Sequence, residues 1–229
     1  MFMEFRITDE MKISTFAIEA AKNAREASEK PFRWSAHHVK ELIFFYLKGV
    51  DLDGSSKIQL TFGEPEENEL VYSKILNASN YYIVDFDKKA YDKLSEKERE
   101  MYVLKESIIA LKAIAELNQR VDVVGFLSEV EKKIIDSDFY LLVHVKKLDK
   151  IHKIKNIKYK VNRVINREVG EGWQCIVDVN GEVRKLWMHK IPHFLDMTEV
   201  FKRSDCSSQK YSIYDRLGKE RFFVTHEGV

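Results

Sequence analysis

Cysteine, proline and glycine are scarce in this sequence. Its only cysteines, Cys175 and Cys206, stand apart and form no CxxC pair, which excludes a disulfide framework and a four-cysteine zinc site. The 229 residues include 3 prolines and 9 glycines, and no proline- or glycine-rich linker, internal repeat or low-complexity tract interrupts the chain. The sequence therefore predicts a single domain spanning residues 1–229.

A surplus of one charge is also absent. Lys and Arg total 38 and Asp and Glu total 37, so the formal net charge is +1. The whole molecule lacks the overall field that marks many nucleic-acid-binding proteins. Any electrostatic recognition must therefore be local.

Long apolar runs are missing too. No stretch approaches the roughly 18 apolar residues that predict a membrane span. The first ten residues lack the basic segment and the apolar stretch of a secretory signal. We expect a cytoplasmic protein without membrane contact. A chain of this length buries enough surface to fold without a disulfide, a metal or another cofactor.

The first part of the chain, residues 1–138, alternates strand and helix patterns. A short strand is expected at 4–8 and a helix at 12–29, which Pro31 would end. Ser35 is predicted to cap a second helix that ends at Gly49. The core-facing positions of this second helix are Val39, Leu42, Ile43 and Tyr46.

A strand and two further helices are predicted in the same part. Residues 57–62 alternate, with Ile58, Leu60 and Phe62 on one face. Ser95-Glu-Lys-Glu98 is a capping box, so a helix begins there. We expect this helix to pack on a strand within 81–87 through Tyr82, Val84 and Phe86. Its apolar stripe is Met101, Leu104, Ile108, Leu111 and Ala115. A helix at 123–136 follows, with Val123, Leu127, Val130 and Ile134 inward.

Residues 139–229 have the composition of β-strands. Strands are predicted at 139–145, 158–165, 173–179 and 183–188, because these runs are rich in β-branched and aromatic residues. Asn180-Gly181 joins the last two and predicts a type I′ hairpin turn. The predicted fold class is therefore α+β, with helices packed on a mostly antiparallel β-sheet and a C-terminal meander. Two sub-lobes, 1–138 and 139–229, are the alternative to one compact unit.

A basic segment spans residues 146–167. Its cations are Lys146, Lys147, Lys150, Lys153, Lys155, Lys158, Lys160, Arg163 and Arg167. Lysines alternate with Tyr159 and Val161, so one strand face would be cationic and the other apolar. Such a face can be a solvated, aggregation-resistant surface, dock an acidic partner, or bind nucleic acid if Tyr159 faces outward to stack on bases. These alternatives stay open.

Histidines that could bind zinc lack a standard spacing. His189 and His193 are separated by Pro192, which argues against a regular helix there. His37, His38 and Cys206 do not supply a second pair of zinc ligands at a standard spacing. We therefore predict no metal site from these residues.

The sequence also gives little support for nucleophilic catalysis or for a carboxylate site that binds a divalent cation. Cys175 lies in a strand pattern that predicts a buried thiol, and no GxSxG, SxxK or HExxH motif occurs. Asp85 and Asp87 project to the same side of the predicted strand, and with the acidic segment Glu64–Glu69 they could hold a divalent cation. Asp87 also suits a helix N-terminus. We predict no catalytic residue and no cofactor.

Three segments carry a family resemblance. They are Tyr82-Ile-Val-Asp-Phe-Asp-Lys88, Leu94-Ser-Glu-Lys-Glu-Arg-Glu-Met-Tyr-Val-Leu104 and Ala110-Leu-Lys-Ala-Ile114. In their order and texture they resemble a family of bacterial α+β immunity proteins that are found beside polymorphic toxins. The resemblance implies a non-enzymatic antidote that binds and neutralises a cognate toxin protein domain in the cytoplasm.

Charged side chains are the expected contacts with such a partner. The candidates are Glu64, Glu66, Glu67, Glu69, Lys158 and Lys160. Immunity proteins against nucleases are frequently acidic, whereas this chain is nearly neutral, so a nuclease toxin is less favoured unless the acidic segment acts locally. Two other classes stay open: a nucleic-acid-binding module that uses residues 146–167, and an uncharacterised enzyme.

Overall fold

The computed structural model describes residues 12–22, 32–189 and 200–227. The chain forms two compact units, Met1–Asp138 and Phe139–Val229. In its described residues the first unit contains four strands and five helices, and the second contains eight strands. Most strand pairs are antiparallel. The predicted α+β fold class is confirmed.

A four-stranded sheet underlies the first unit. Its strands are β1 (Thr15–Ala20), β2 (Lys57–Phe62), β3 (Tyr72–Ile75) and β4 (Ala78–Ile83), in the spatial order β1-β2-β4-β3. The strands β1, β2 and β4 run parallel, and β3 pairs antiparallel with β4. The carboxyl ends of the three parallel strands therefore meet at one edge of the sheet.

The helices of the first unit form a layer on this sheet. They are α1 (Phe32–Ser35), α2 (His37–Leu47), α3 (Lys88–Lys93), α4 (Glu96–Leu117) and α5 (Val121–Asp136). Helices α1 and α2 contact β1, α4 contacts β4, and α5 packs on α4 and α2. Among the described helices, none combines the length and the apolarity that a membrane crossing requires.

The predicted strand β2 is confirmed with its facing. Ile58, Leu60 and Phe62 are fully buried, and the parallel register places Phe16 and Ile18 of β1 beside the first two. The aromatic rings of Phe32, Phe62, Phe86, Tyr91 and Tyr102 pack together at the carboxyl edge of the sheet. The core of the first unit therefore lies between β2 and the helix layer.

The predicted helices α4 and α5 are also confirmed. Ser95 caps α4: its hydroxyl accepts from the backbone N–H of Glu98, whose carboxylate accepts from the N–H of Ser95 at 2.8 Å. Leu104, Ile108, Leu111 and Ala115 are buried, and Met101 is half-buried. The inward positions of α5 are buried, namely Val123, Leu127, Val130 and Ile134.

The predicted helix at 12–29 is wrong where the structure describes it. Thr15–Ala20 forms β1, with Phe16, Ile18 and Ala20 buried. The run has helix-favouring Ala and Glu residues, but its apolar side chains recur at every second position, and pairing with β2 buries them. The predicted strand at 4–8 lies outside the described residues.

The prediction that Ser35 caps α2 is wrong. Ala36 occupies the N-cap position, and no side chain caps this helix. The Ser35 hydroxyl instead donates to the carbonyl of Phe32 at 2.8 Å and lies 2.7 Å from the Tyr91 hydroxyl. Ser35 is the last residue of the short helix α1, so its hydroxyl bonds within α1 and does not cap α2.

The interior of α2 follows the prediction. Val39, Leu42 and Ile43 are buried, and Tyr46 is half-buried. Gly49 follows the last turn with φ 86°, a conformation that glycine adopts without a steric penalty. His37 and His38 also lie on this helix and are buried, and His38 Nε2 lies 3.0 Å from the Glu100 carboxylate.

The strand predicted within 81–87 has a different end and facing. β4 stops at Ile83, which is buried and aligned with Phe62 of β2. Tyr82 therefore points to the opposite face, and Val84 is exposed. Odd- and even-numbered positions of this segment both carry aromatic residues. The sequence therefore does not show which set faces the core, because alternation identifies a face only when one of the two sets is polar.

The second unit contains two antiparallel sheets. The larger comprises β5 (Leu141–His144), β6 (Lys150–His152), β7 (Ile157–Asn166), β8 (Gly170–Val179) and β9 (Glu182–His189). Its order is β5-β7-β8-β9, and β6 also pairs with β7. The smaller is β10 (Arg203–Cys206), β11 (Lys210–Tyr214) and β12 (Glu220–Thr225). β5, β7, β8 and β9 correspond to predicted strands, whereas the sequence patterns give no sign of β6 or of the smaller sheet.

The Asn-Gly hairpin is confirmed. Asn180 and Gly181 have φ values of 52° and 96°, and Val179 pairs with Glu182 on either side of the turn. The Gly181 N–H donates to Asp178 Oδ1 at 2.8 Å. Asn156 Nδ2 donates to Asn180 Oδ1 at 3.0 Å. The turn is therefore held by side chains from both of its flanks.

The core of the second unit lies between its two sheets. Its fully buried side chains include Tyr159, Val161, Trp173, Cys175, Val177, Tyr211 and Ile213. The rings of Tyr159 and Tyr211 stack with centroids 4.4 Å apart and an interplanar angle of 4°. Alternate residues of β7 and β8 therefore point inward, which leaves the intervening residues on the outer face.

Candidate functional site

The acidic segment Glu64–Glu69 follows β2, at the carboxyl edge of the first unit's sheet. Glu69 accepts from the Tyr82 hydroxyl, and this hydrogen bond together with the N–H of Glu66 lowers the pKa of the Glu69 carboxyl. Glu66 lies 2.6 Å from the ammonium group of Lys22, and Glu64 accepts from the N–H of Asp85 at 3.1 Å. Three of the four predicted carboxylates thus have partners within this edge, and Glu67 is exposed.

Asp85 and Asp87 do not form the predicted same-side pair. Both lie beyond β4, in the turn that leads to α3, and Asp85 has φ 63°. Asp87 caps α3: its Oδ1 accepts from Lys89 N at 2.9 Å and Ala90 N at 3.1 Å. Asp87 therefore stabilises the N-terminus of α3, which is the alternative role that the sequence predicts for it.

Lys158 and Lys160 lie on an open sheet face of the second unit. Three cross-strand rows make up this face: Lys158–Asp178–Val183, Lys160–Ile176–Lys185 and Asn162–Gln174–Trp187. None of these nine side chains is buried. We call these nine residues the lysine face.

The lysine face combines positive charge with apolar surface. Three lysines and one aspartate give it a formal charge of +2. Asp178 lies 3.9 Å from Lys158, a separation at which an exposed pair contributes little. Val183 is 58% exposed and Trp187 is 40% exposed. An aromatic and an aliphatic side chain in contact with solvent, beside unburied lysines, are typical of a surface that binds a macromolecule.

Gly172 makes room for the Trp187 ring on this sheet. A Cβ at Gly172 would lie 2.6 Å from the ring, closer than any real contact, so a larger residue would force the indole to move. Trp187 thus packs on the backbone at Gly172 and remains 40% exposed.

Tyr159 does not serve this face. Its side chain is fully buried and its hydroxyl lies 2.7 Å from His226 Nδ1. The base-stacking role considered for Tyr159 is therefore wrong, because alternation along β7 turns it into the core. Trp187 is the aromatic residue that the lysine face presents.

The basic segment 146–167 does not form one surface. Arg163 turns inward, where its Nε donates to the buried Glu171 carboxylate at 2.8 Å. Lys155 Nζ donates to the carbonyl of His226 at 3.3 Å. Only Lys158 and Lys160 of this segment belong to the lysine face, and β9 supplies Lys185.

A polar cluster surrounds His226, just after β12. His226 Nε2 lies 3.0 Å from the carbonyl oxygen of Ser207, to which it must donate. Its Nδ1 therefore accepts from Tyr159. Cys206 Sγ is 4.0 Å from Nε2, but a nitrogen that already carries a proton cannot deprotonate the thiol. The arrangement is a hydrogen-bonded core histidine and not a nucleophile–base pair.

Both thiols are protonated at neutral pH. Burial raises the pKa of Cys206, and the nearby Asp205 charge raises it further. Burial raises the pKa of Cys175 to about 12. Cys175 is thus the small buried residue that its strand pattern predicts. Of the predicted zinc candidates, His193 lies outside the described residues.

Sequence patterns alone miss Val183, Lys185 and Trp187. The signal is nevertheless present, because the Asn-Gly turn sets the pairing of β8 with β9 and thereby places Val183 opposite Asp178. Comparisons of the chain with protein-family models, with curated proteins and with solved structures give no significant match.

Proposed function

We propose that this protein is a non-enzymatic binding protein whose lysine face docks on an acidic surface of a partner protein domain. The observation that supports this most is the open face itself, in which Trp187, Val183 and three lysines meet on one sheet surface. A partner would cover these apolar side chains, and complementary carboxylates would face the lysines between and beside them.

The proposed partner is a bacterial toxin domain, which would make this protein an immunity protein. The resemblance of the segments within 82–114 to immunity proteins supports this finer step. The lysine face is the preferred contact surface over the acidic segment Glu64–Glu69, because Glu64, Glu66 and Glu69 already have local partners.

Charge reversal on the lysine face tests the proposal. The partner is the toxin domain encoded by a neighbouring gene, and the variant is Lys160→Glu combined with Lys185→Glu. Since charge chiefly raises the association rate, we expect slower association by about tenfold or more and a weaker salt dependence. Lys97→Glu, on an exposed position of α4 in the first unit, is the matched control and should bind normally.

Trp187→Ala tests the anchor separately. We expect faster dissociation, with a loss of about 2 kcal/mol in binding free energy if Trp187 is a hot spot. Val183→Ala on the same face should cost less. Co-expression then tests the biological step: cells that die equally fast with and without this protein, with no complex on co-purification, would contradict the immunity proposal.

Nucleic acid is the second candidate partner. The observation in its favour is the presence of three lysines and an exposed indole on one sheet face, which suits single strands. Fluorescence anisotropy with a labelled oligonucleotide over a range of salt concentrations distinguishes the two. If the logarithm of the association constant falls linearly with the logarithm of the salt concentration, and Lys160→Glu weakens binding, the partner is a nucleic acid and not a protein.

A further inference from the structure

The edge strand β3 of the first unit and the residues that flank it carry exposed apolar surface. Leu70, Val71, Ile75 and Leu76 are 69%, 43%, 72% and 90% exposed. Within the described residues β3 pairs only with β4, so its second edge has no strand beside it. Exposed apolar edge strands promote association with another strand, and most proteins protect them.

The hydrogen-bonding groups of this edge can be assigned from the hairpin. The Tyr82 N–H donates to the carbonyl of Val71 at 2.7 Å, and Ile75 pairs with Ala78 across the two-residue turn. Val71, Ser73 and Ile75 therefore direct their backbone groups toward β4. In an antiparallel pair the intervening residues, Tyr72 and Lys74, direct their N–H and C=O groups to the outer edge.

The side chains that could protect this edge are turned away from it. Lys74 Nζ donates to the carbonyl of Asp53, and the Tyr72 hydroxyl donates to Asp53 Oδ2 at 2.9 Å. Asp53 is itself buried. An edge lysine normally discourages pairing by placing its charge beside the incoming strand. Here that charge is held at Asp53.

We propose that β3 is a dimerisation edge, on which a second copy of this chain adds its own β3 antiparallel, with Ser73 facing Ser73 of that copy. This register makes the strand complementary to itself. Leu70 meets Leu76, Val71 meets Ile75, and Tyr72 meets Lys74 of the second copy. Each of these contacts occurs twice, once from each chain, as the two-fold symmetry of a dimer requires.

The backbone groups agree with the same register. Tyr72 and Lys74 of one chain exchange hydrogen bonds with Lys74 and Tyr72 of the other, as a hydrogen-bonded antiparallel pair does. Ser73 then occupies a non-hydrogen-bonded position, and so does the pair of Val71 with Ile75. Side chains approach most closely at such positions, which favours aliphatic contact there.

The turn beyond β3 also favours this use. Leu76 has φ 54° at the first position of a two-residue turn, where glycine is the usual residue. The Asn77 carbonyl accepts from Ser56 N and Lys57 N, both at 3.0 Å, which fixes the turn. A leucine held in this conformation is presented to solvent, and in the dimer it covers Leu70 of the other copy.

Sedimentation velocity tests the proposal on the full-length chain. A single edge pair is a small interface, so we expect a dimer with a dissociation constant in the micromolar range, seen as a sedimentation coefficient that rises between about 1 and 300 micromolar. Ser73→Lys places two like charges face to face and should remain monomeric, as should Ile75→Lys. Circular dichroism spectra of both variants serve as the control that they fold. A dimer that persists in both variants would place the interface elsewhere and overturn the proposal.

Crosslinking tests the register. In a Cys206→Ser background, Ser73→Cys places two thiols on directly opposed residues, so a mild oxidant should link the chains rapidly. Ile75→Cys is the matched control, because that residue lies about 14 Å from its counterpart in this register and should not link. Equal rates for the two variants, or a wild-type chain that is monomeric at every concentration, would overturn the proposal.

Discussion

His152 and His226 are buried neighbours in the second unit. Their ring centroids are 4.2 Å apart. His152 Nδ1 accepts from the backbone N–H of Lys155 at 3.2 Å, and His226 Nδ1 accepts from Tyr159. Burial lowers the pKa of His152, and the charges of His226 and Lys155 lower it further. The folded state therefore favours the neutral form of His152.

Acid should destabilise the second unit through protonation of His152. Because the folded pKa of His152 lies below its unfolded value of about 6.5, the unfolded chain binds more protons, and the stability present above that pH is lost as pH falls below it. Thermal melts at several pH values measure this. His152→Asn, whose side-chain oxygen can accept from Lys155, should flatten the pH dependence, and equal losses in both proteins would contradict the assignment.

The two cysteines should differ in reactivity. Cys206 is half-buried and Cys175 is fully buried with its pKa raised to about 12. Since the thiolate is the reactive form, iodoacetamide should label Cys206 slowly in the native protein and Cys175 only after unfolding. Mass spectrometry of the tryptic peptides measures this. Native labelling of Cys175 at the rate of Cys206 would show that the core around β8 opens.

Helix α4 has a capping box at its start. Ser95→Ala removes one half of the capping box, and we expect a loss of about 1 kcal/mol in the free energy of unfolding, measured by urea titration. Ser95→Thr keeps both the acceptor for the Glu98 N–H and the donor to the Glu98 carboxylate, and should be nearly neutral. An equal loss for both variants would mean that packing of Leu104 and Leu111, and not the cap, determines this helix end.

Elements with local signals are predictable from this sequence. The capping box at Ser95, the turn at Asn180-Gly181 and the alternation in 57–62 each specify structure within a few residues, and all three are confirmed. β1 is not predictable in this way, because its Ala and Glu favour helix and only pairing with β2 decides otherwise. In the smaller sheet β11 alternates Tyr211 and Ile213 with polar residues, but such short runs without a strong turn signal are ambiguous in the sequence.

The candidate site was predictable only in part. The exposure of Lys158 and Lys160 follows from alternation along β7. The contacts that occupy Glu64, Glu66 and Glu69 involve Asp85, Lys22 and Tyr82, which are distant in sequence. No periodicity reports such contacts, so the acidic segment looked as available as the lysines.

At the scale of the whole molecule, the two compact units allow separate observation. All α-helices of the described residues belong to the first unit, whereas Trp173 and Trp187 belong to the second. In a Trp34→Phe variant, helical circular dichroism reports one unit and tryptophan fluorescence the other. If the units unfold independently, urea transitions by the two probes should differ, and Leu60→Ala should shift the first alone by about 2–5 kcal/mol. Coincident transitions would support the single domain that the sequence favours.

The hairpin turn at Asn180-Gly181 also bears on the chemical lifetime of this protein. Asn-Gly sequences deamidate when the glycine nitrogen attacks the asparagine side-chain carbonyl and forms a succinimide. Here the Gly181 N–H is held by Asp178, and the Asn180 side-chain oxygen by Asn156. The first contact occupies the attacking N–H, and the second limits rotation of the Asn180 side chain, so the native hairpin should age more slowly than the same sequence in a peptide. Asn156→Ala should release the side chain and speed the conversion to aspartate and isoaspartate, which would place an extra negative charge beside the lysine face.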